Sequence, residues 1–138
     1  MAAKLTPPDE LPDEEFPIVL TTGRMLEHWH TGAMTRRAET LNGLEPIPVV
    51  SINPHQMGEI GVGPGDLVQI ESRRGTIDIK VRADRDVPDG MVFIPFCFHE
   101  AAANILTNPQ LDPVGKIPEF KFCAVRVAPI NAVSVAAE

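Results

Sequence analysis

Residues that can donate hydrogen bonds from side chains or from the backbone are concentrated in the segment that follows the first apolar run of the sequence. They are Thr22, Gly23, Arg24, His28, His30, Thr31 and Gly32. Backbone N–H groups at glycine turns, an arginine fork and imidazole rings together suit a planar heterocycle that carries phosphate groups. A surface loop with solvated histidines is the alternative that the residue types leave open.

A zinc site is a second reading of the same segment. His28 and His30 could be joined by Cys97 and His99 as four ligands. Structural zinc sites usually present their ligands in paired knuckles, and neither a C-x₂₋₄-C nor an H-x₃₋₅-H pair occurs here. The spacing therefore argues against a metal site.

Further candidate ligand contacts lie apart from this segment. Asn104 stands among small apolar residues and needs a partner if it is buried, so it either donates to a ligand or caps a short helix. Lys121 alternates with two phenylalanines, and an outward-facing lysine is as good a reading as a ligand contact. Arg36 and Arg37 could hold phosphate, although a solvated pair is commoner.

The chain has no G-x-S-x-G motif and no Walker or dinucleotide glycine fingerprint, so hydrolysis gains no support.

Composition narrows the class of protein. The 138 residues suit one domain, and the net charge of −7 argues against binding duplex nucleic acid. No apolar run approaches the roughly 18–20 residues that span a bilayer, and residues 1–15 lack the features of a signal peptide. Cys97 and Cys123 lie among apolar neighbours and are expected to be buried thiols in a reducing compartment. We therefore expect a cytoplasmic protein that does not insert into a membrane.

Turn residues and short apolar runs predict a mainly β fold. With 14 prolines and 10 glycines the chain favours many short elements. Strands are predicted at residues 16–22, 47–52, 67–72, 76–83, 91–95 and 119–128. Short helices are predicted at residues 34–41, ending at Gly43, and from Pro54 to Gly61 with Asn53 as N-cap; residues 101–107 are a brief helical candidate. These elements describe a small mixed β-barrel with helical excursions.

The domain boundaries follow from composition. Residues 1–15, rich in proline and acids, are expected to be an extended acidic lead-in or linker. Residues 16–130 form the domain, and residues 131–138 form a C-terminal tail. The lead-in also fits a segment of a longer polypeptide.

Several short motifs occur in the order typical of one family. They are TTGR at 21–24, HWHTG at 28–32, INP at 52–54, GVGPGDLV at 61–68, SRRG at 72–75, ANILT at 103–107 and PEFK at 118–121. Together they resemble the C-terminal molybdopterin-dinucleotide-binding domain of molybdenum- or tungsten-dependent formate dehydrogenases, in the dimethyl sulfoxide reductase superfamily. The resemblance runs from about residue 16 to residue 128, and Cys97 departs from the histidine that the family often carries.

The resemblance implies a fold, a cofactor and a set of contacts. The fold is a double-psi β-barrel that closes over bis(molybdopterin guanine dinucleotide), with Mo or W held jointly with upstream domains. The contacts carried over from the motifs are Thr22, Gly23, Arg24, His28, His30, Thr31, Asn104 and Lys121. The metal ligand and the iron–sulfur cluster lie in the rest of such enzymes, so this chain alone is not expected to oxidise formate.

Partners and alternative functions also follow from the resemblance. The expected partners are the remaining domains of the catalytic subunit and electron-transfer subunits. A stand-alone double-psi barrel that acts as a binding or adaptor module is the alternative from a different class. Within the oxidoreductases, the alternative is the cofactor domain of another superfamily member, such as nitrate reductase or formylmethanofuran dehydrogenase.

Overall fold

Alternation of apolar and polar residues determines which side chains face the interior. In the computed structural model, which describes residues 5–130, Val68 and Ile70 are buried and Gln69 between them is exposed. Ile77 and Ile79 follow the same rule on the next strand. Each such side chain contributes about 1.5–3 kcal/mol when it is removed from water. The strands must therefore curve around one apolar interior.

Within the described residues, six strands enclose that interior. Their bounds are β1 Ile18–Gly23, β2 Val49–Ile52, β3 Leu67–Ser72, β4 Gly75–Ala83, β5 Met91–Pro95 and β6 Cys123–Pro129. They close into a barrel in the order β1-β5-β2-β4-β3-β6. The β1–β5 and β2–β4 pairs are parallel, and the other four are antiparallel. This architecture confirms the expected double-psi β-barrel with few short helices.

Local signals predicted one helix well and another poorly. Helix α2 (Pro54–Ile60) begins at Asn53, whose Oδ1 accepts a hydrogen bond from the backbone N–H of His55 at 2.9 Å, and ends at Gly61 with φ +81°. This confirms the predicted cap residues. The expected helix over 34–41 is wrong, because Ala38 is extended and divides the segment into a 3₁₀ turn (Thr35–Arg37) and helix α1 (Glu39–Leu44). Gly43 lies inside α1 rather than at its C-cap.

The predicted strands are confirmed apart from their ends. The last strand starts at Cys123 and not at residue 119. The preceding residues make other bonds: the Glu119 N–H donates to the Gln110 carbonyl at 2.9 Å, and the Thr22 hydroxyl donates to the Phe120 carbonyl at 2.7 Å. The helical candidate at 101–107 is a 3₁₀ turn, Ala103–Ile105.

Strand pairing brings the two long loops to the same end of the barrel. In the parallel β1–β5 pair, Gly23 lies beside Pro95, so the segments that start at residues 24 and 96 leave together. Strand β6 runs antiparallel to β1 with Cys123 beside Leu20, so the second loop also returns there. We call this end of the barrel, where residues 24–38 and 96–122 meet, the loop end.

An ion pair connects the two loops. The Arg36 guanidinium donates to both Glu100 carboxylate oxygens, at 2.5 and 2.8 Å, and its Nε donates to Asn42 Oδ1 at 3.4 Å. The guanidinium lies 4.8 Å from the ring centroid of Phe98, which is buried. We call Arg36, Glu100 and Phe98 the loop brace, because they hold residues 35–37 against the segment that follows β5.

Both thiols are buried, and the lead-in contacts the barrel through an ion pair. Cys97 and Cys123 are both buried and free, as expected, and desolvation raises the pKa of each thiol to about 11.

Residues 5–15 contain no helix or strand, and Glu10 pairs with Arg73 and Arg74 in the β3–β4 turn. Residues 1–4 and the expected tail at 131–138 lie outside the described residues. None of the helices in residues 5–130 has the length and apolarity needed to cross a bilayer.

Two glycine substitutions should have opposite effects on stability. Gly32 has φ +74°, and an added Cβ would lie 2.8 Å from Arg36 Cγ and 3.0 Å from the Cys97 carbonyl oxygen. Gly32→Ala should therefore lower the free energy of unfolding by about 1–2 kcal/mol. Gly43 is the control, because it lies inside α1 with open space around it. Gly43→Ala should raise the free energy of unfolding by about 0.5–1 kcal/mol. Urea denaturation measures both values, and equal effects would contradict the described turn.

The loop brace predicts an unusual acid titration. Hydrogen bonding to Arg36 lowers the pKa of Glu100 from 4.5 to about 2. Since the folded-state pKa lies below the unfolded one, the contribution of Glu100 to stability is complete above about pH 4.5 and is lost as the pH falls towards 2. Carboxyl carbon shifts measured by NMR should show a Glu100 midpoint near pH 2. Loss of the low midpoint in Arg36→Gln is the matched control, and a wild-type midpoint near 4.5 would contradict the ion pair.

Candidate cofactor-binding site

Two adjoining cavities lie between the two loops. The larger, about 310 Å³, is lined by Thr31, Gly32, Ala33, Arg36, Arg37, Cys97 and His99. The smaller, about 190 Å³, is lined by Thr31, Phe96, Cys97, Phe98, His99, Ala102, Ala103 and Asn104. Because the two share Thr31, Cys97 and His99, we treat them as one site and call it the loop-end cavity.

The loop-end cavity has a sign of charge opposite to that of the whole chain. The chain has 19 acidic and 12 basic residues. Among the described residues that line the cavity there are two arginines and a histidine but no aspartate or glutamate. A groove elsewhere, of about 680 Å³, is lined instead by Asp9, Asp112 and Glu119 among others. An anionic group is therefore favoured in the loop-end cavity and disfavoured in that groove.

A strained turn places Thr31 at the cavity. His30 and Gly32 on either side of it have φ values of +50° and +74°. The Gly32 N–H donates to the Trp29 carbonyl at 2.9 Å, and the Arg36 N–H donates to the Gly32 carbonyl at 2.9 Å. A non-glycine residue in the left-handed region is uncommon, so the conformation of His30 marks a backbone held by its surroundings.

Two residues expected from the resemblance meet at the smaller cavity. Thr31 comes from the first loop and Asn104 from the 3₁₀ turn of the second loop. Both residues are exposed, so the hydroxyl and the amide are accessible to a bound group. The pairing of β1 with β5 brings them together although they are 73 positions apart in sequence, 104 − 31.

Four other expected residues lie at the rim or inside the barrel end. Thr22 is only 3% exposed, and its hydroxyl donates a hydrogen bond to the Phe120 carbonyl. Gly23 packs tightly, since an added Cβ would lie 2.7 Å from the Phe93 ring. Arg24 and Lys121 are exposed at the ends of the adjacent strands β1 and β6. The two cations are thus available to a ligand, whereas Thr22 and Gly23 contact their own chain.

The two histidines of the loop differ in their surroundings. His28 is 2% exposed, and its Nε2 donates to the Glu45 carbonyl at 2.8 Å, because a carbonyl oxygen can only accept. Its Nδ1 lies 3.2 Å from the Thr35 hydroxyl, so both ring nitrogens are bonded within the chain. The ring also meets Phe98 edge-on at 5.5 Å. His30 is half-buried and lies edge-on to Trp29 at 4.6 Å.

Three further residues belong to the cavity. Arg37 and His99 line it and are exposed, and Cys97 lies at its base with a neutral thiol that contacts Met25 sulfur at 3.4 Å. Arg36 also lines the cavity, but Glu100 and Asn42 occupy its guanidinium. The length of the connection after β5 was the sequence signal for this wall, since a long irregular loop in a small domain usually has a function.

The spacing of the histidines and cysteines in the sequence argues against a metal site. Within residues 5–130, no group of three or more His, Cys, Asp or Glu side chains could hold a metal ion. The donors that meet at the loop-end cavity are instead hydroxyl, amide, guanidinium and imidazole groups. This set suits an anion or a nucleotide.

Curated relatives share much of this sequence. The chain is 48% identical over 118 residues to the F420-dependent formate dehydrogenase subunit alpha of Methanocaldococcus jannaschii, covering 86% of this chain and 18% of the relative. It is 43% identical over 123 residues to the F420-dependent formate dehydrogenase 1 subunit alpha of Methanococcus maripaludis, covering 89% of this chain and 18% of the relative. The chain thus spans about a fifth of the length of the curated relatives it matches.

A solved structure shows the same fold. Acetylene hydratase from Pelobacter acetylenicus superposes with a TM-score of 0.76 at 17% identity, covering 85% of this chain and 19% of that chain. At this identity the likeness shows the fold alone.

A family model matches the barrel directly. The model described as "Molydopterin dinucleotide binding domain" matches residues 18–124. The matched region contains the first five strands, the start of the sixth and both loops that line the loop-end cavity. The chain therefore belongs to the family of molybdopterin dinucleotide binding domains.

Proposed function

We propose that this chain is the cofactor-binding domain of a formate-dehydrogenase-type oxidoreductase, and that the loop-end cavity holds a phosphate-bearing part of bis(molybdopterin guanine dinucleotide). The observation that carries the proposal is the lining of the cavity, which is basic in an acidic chain. The formate dehydrogenase alpha subunits among its relatives support the reaction class. The domain is proposed to extend over residues 16–130.

The residues present fit this cofactor. Arg37 offers a guanidinium with no acidic partner among residues 5–130, and the Thr31 hydroxyl and the His99 imidazole lie beside it. Asn104 offers an amide that can both donate and accept, as recognition of a heterocycle edge requires. We assign phosphate to Arg37 and Thr31, and a polar ring edge or ribose to Asn104 and His99.

The remaining expected contacts divide into two roles. Arg24 and Lys121 are proposed to approach the cofactor from the rim of the barrel, since both are exposed there. His30 is proposed to approach it from the strained turn. Thr22, Gly23 and His28 are proposed to shape the wall from behind, because their polar atoms or close contacts are taken up within the chain.

The chain contributes binding rather than redox chemistry. When bound, the cofactor supplies a Mo or W centre for two-electron oxidation, together with ligands and an iron–sulfur cluster from other parts of the enzyme. Residues of this chain orient the dinucleotide and exclude water from its phosphate. The proposed partners are those other domains and electron-transfer subunits, and the proposed location is the cytoplasm, where Cys97 and Cys123 stay reduced.

Two substitutions in the whole polypeptide should weaken cofactor retention. Arg37→Gln removes the guanidinium and Asn104→Ala removes the amide. A hydrogen bond to a charged group contributes about 1.5–3 kcal/mol, so Arg37→Gln should increase the cofactor dissociation rate by about tenfold or more. Metal and pterin content after gel filtration, followed over time, measures this rate.

Arg85→Gln is the matched control. Arg85 is also exposed but follows β4, at the end of the barrel opposite to the loop end, because β2 runs antiparallel to β5 and parallel to β4. This variant should retain the cofactor like the wild type, and all three should have wild-type unfolding midpoints. Wild-type retention in both Arg37→Gln and Asn104→Ala would overturn the assignment of the cavity.

A further inference from the structure

We propose that Arg74, in the β3–β4 turn, is a positioning residue for Asn104 and that Glu10 of the lead-in holds Arg74 in place. The role of Asn104 as a cofactor contact rests on the proposed function. The mechanical link from the lead-in to the 3₁₀ turn does not, and it can be tested separately. On this view the acidic lead-in is part of the scaffold of the site.

Arg74 holds the 3₁₀ turn by its C-terminal carbonyl. Its Nε donates to the Leu106 carbonyl oxygen at 2.9 Å. The turn itself is short, with backbone bonds of 3.0 Å from Ile105 to Ala102 and from Leu106 to Ala103. Three residues of 3₁₀ helix have little stability of their own, so an external bond at this carbonyl fixes the turn that presents Asn104.

The tip of the hairpin also fits closely against the turn. An added Cβ at Gly75 would lie 2.6 Å from Ile105 Cγ2 and 3.4 Å from its carbonyl oxygen. Leu106 is fully buried, so the side chain after the turn anchors it to the core. Asn104 therefore lies on a turn held between the core and the β3–β4 hairpin, with its own side chain exposed.

Glu10 determines where the Arg74 guanidinium lies. Its carboxylate pairs with both terminal nitrogens of Arg74, one of them at 3.1 Å, and lies 3.3 Å from Arg73 Nη1. It also accepts the Ala124 N–H of β6 at 2.8 Å. Desolvation opposes the charge, but the bonds from Arg74 and Ala124 outweigh it and lower the pKa of Glu10 below 4.5. The carboxylate thus links the lead-in, β6 and the hairpin turn.

Arg73 provides an internal comparison. It lies beside Arg74 in the same turn and pairs with Glu10 and Asp13. Its guanidinium packs over the Phe16 ring, 4.7 Å from the centroid, and within residues 5–130 it makes no hydrogen bond to the 3₁₀ turn. A substitution at Arg73 therefore removes a cation from the same cluster without removing the bond to Leu106.

Hydrogen exchange on the full chain tests the mechanical link. Arg74→Met should speed exchange at the Ile105 and Leu106 amides by about tenfold, because loss of the charged donor lowers the cost of local opening. Arg73→Met should change the exchange rates of those amides by less than twofold. Unchanged exchange in Arg74→Met, or an equal increase in Arg73→Met, would overturn the proposal.

A milder variant covers the case in which Arg74→Met fails to fold. Glu10→Gln keeps an oxygen for the Ala124 N–H but removes the charge that holds Arg74. Exchange at Ile105 and Leu106 should then rise severalfold, while amides in the core of β3 and β4 stay at wild-type rates. An equal rise in the exchange rates of all these amides would show general destabilisation and would overturn the positioning role.

A double-mutant cycle in the cofactor-loaded polypeptide tests the functional consequence. Arg74→Met should speed cofactor loss severalfold in the wild-type background but have little further effect in Asn104→Ala, because it acts through Asn104. Equal effects in both backgrounds would overturn the positioning role. If Asn104→Ala alone retains the cofactor normally while the exchange result holds, the proposed cofactor contact fails and the mechanical link stands.

Discussion

The parallel pairing of β1 with β5 is the constraint on which the rest of the site depends. Parallel strands end at the same edge, and the register that places Gly23 beside Pro95 makes two loops emerge side by side. Every described residue that lines the loop-end cavity belongs to one of these two loops. A shift of one residue in the register would turn the buried face of β5 outwards and separate the loops, so the apolar interior and the site are specified together.

Polar contacts at the loop end then hold the two loops in a fixed arrangement around the cavity. His28 is bonded at both ring nitrogens and packs against Phe98, and Phe98 in turn supports Arg36. Glu100 accepts both hydrogen bonds from the Arg36 guanidinium, so Arg36 has a structural role, whereas Arg37 beside it stays available. At this cavity Arg36 therefore fixes the geometry of the loops, and Arg37 is available to bind an anion.

The sequence predicted the elements that depend on neighbouring residues. The cap of α2 by Asn53, its end at Gly61 and the alternation of the β3–β4 hairpin all arise within a few positions. The division of the segment around Ala38 was missed, because apolar spacing continues through it.

Contacts between distant positions could not be predicted from the sequence. The Arg36–Glu100 and Arg74–Glu10 pairs each join residues 64 positions apart, and nothing in either local sequence indicates the partner. The lead-in, expected from its composition to be a linker, is held by one such pair. Thr31 and Asn104 were predicted as cofactor contacts from the resemblance to a family. Only the fold shows that they line one cavity.

The most direct test of the account is to map where a guanine nucleotide binds on the isotopically labelled chain. GDP carries the phosphates and the base that one half of the cofactor would present, without the metal. We predict amide shift changes at residues 31–33 and at Asn104, with saturation on titration. Shift changes confined to the groove of Asp9 and Asp112, or no changes at millimolar GDP, would contradict the assignment of the loop-end cavity to the dinucleotide.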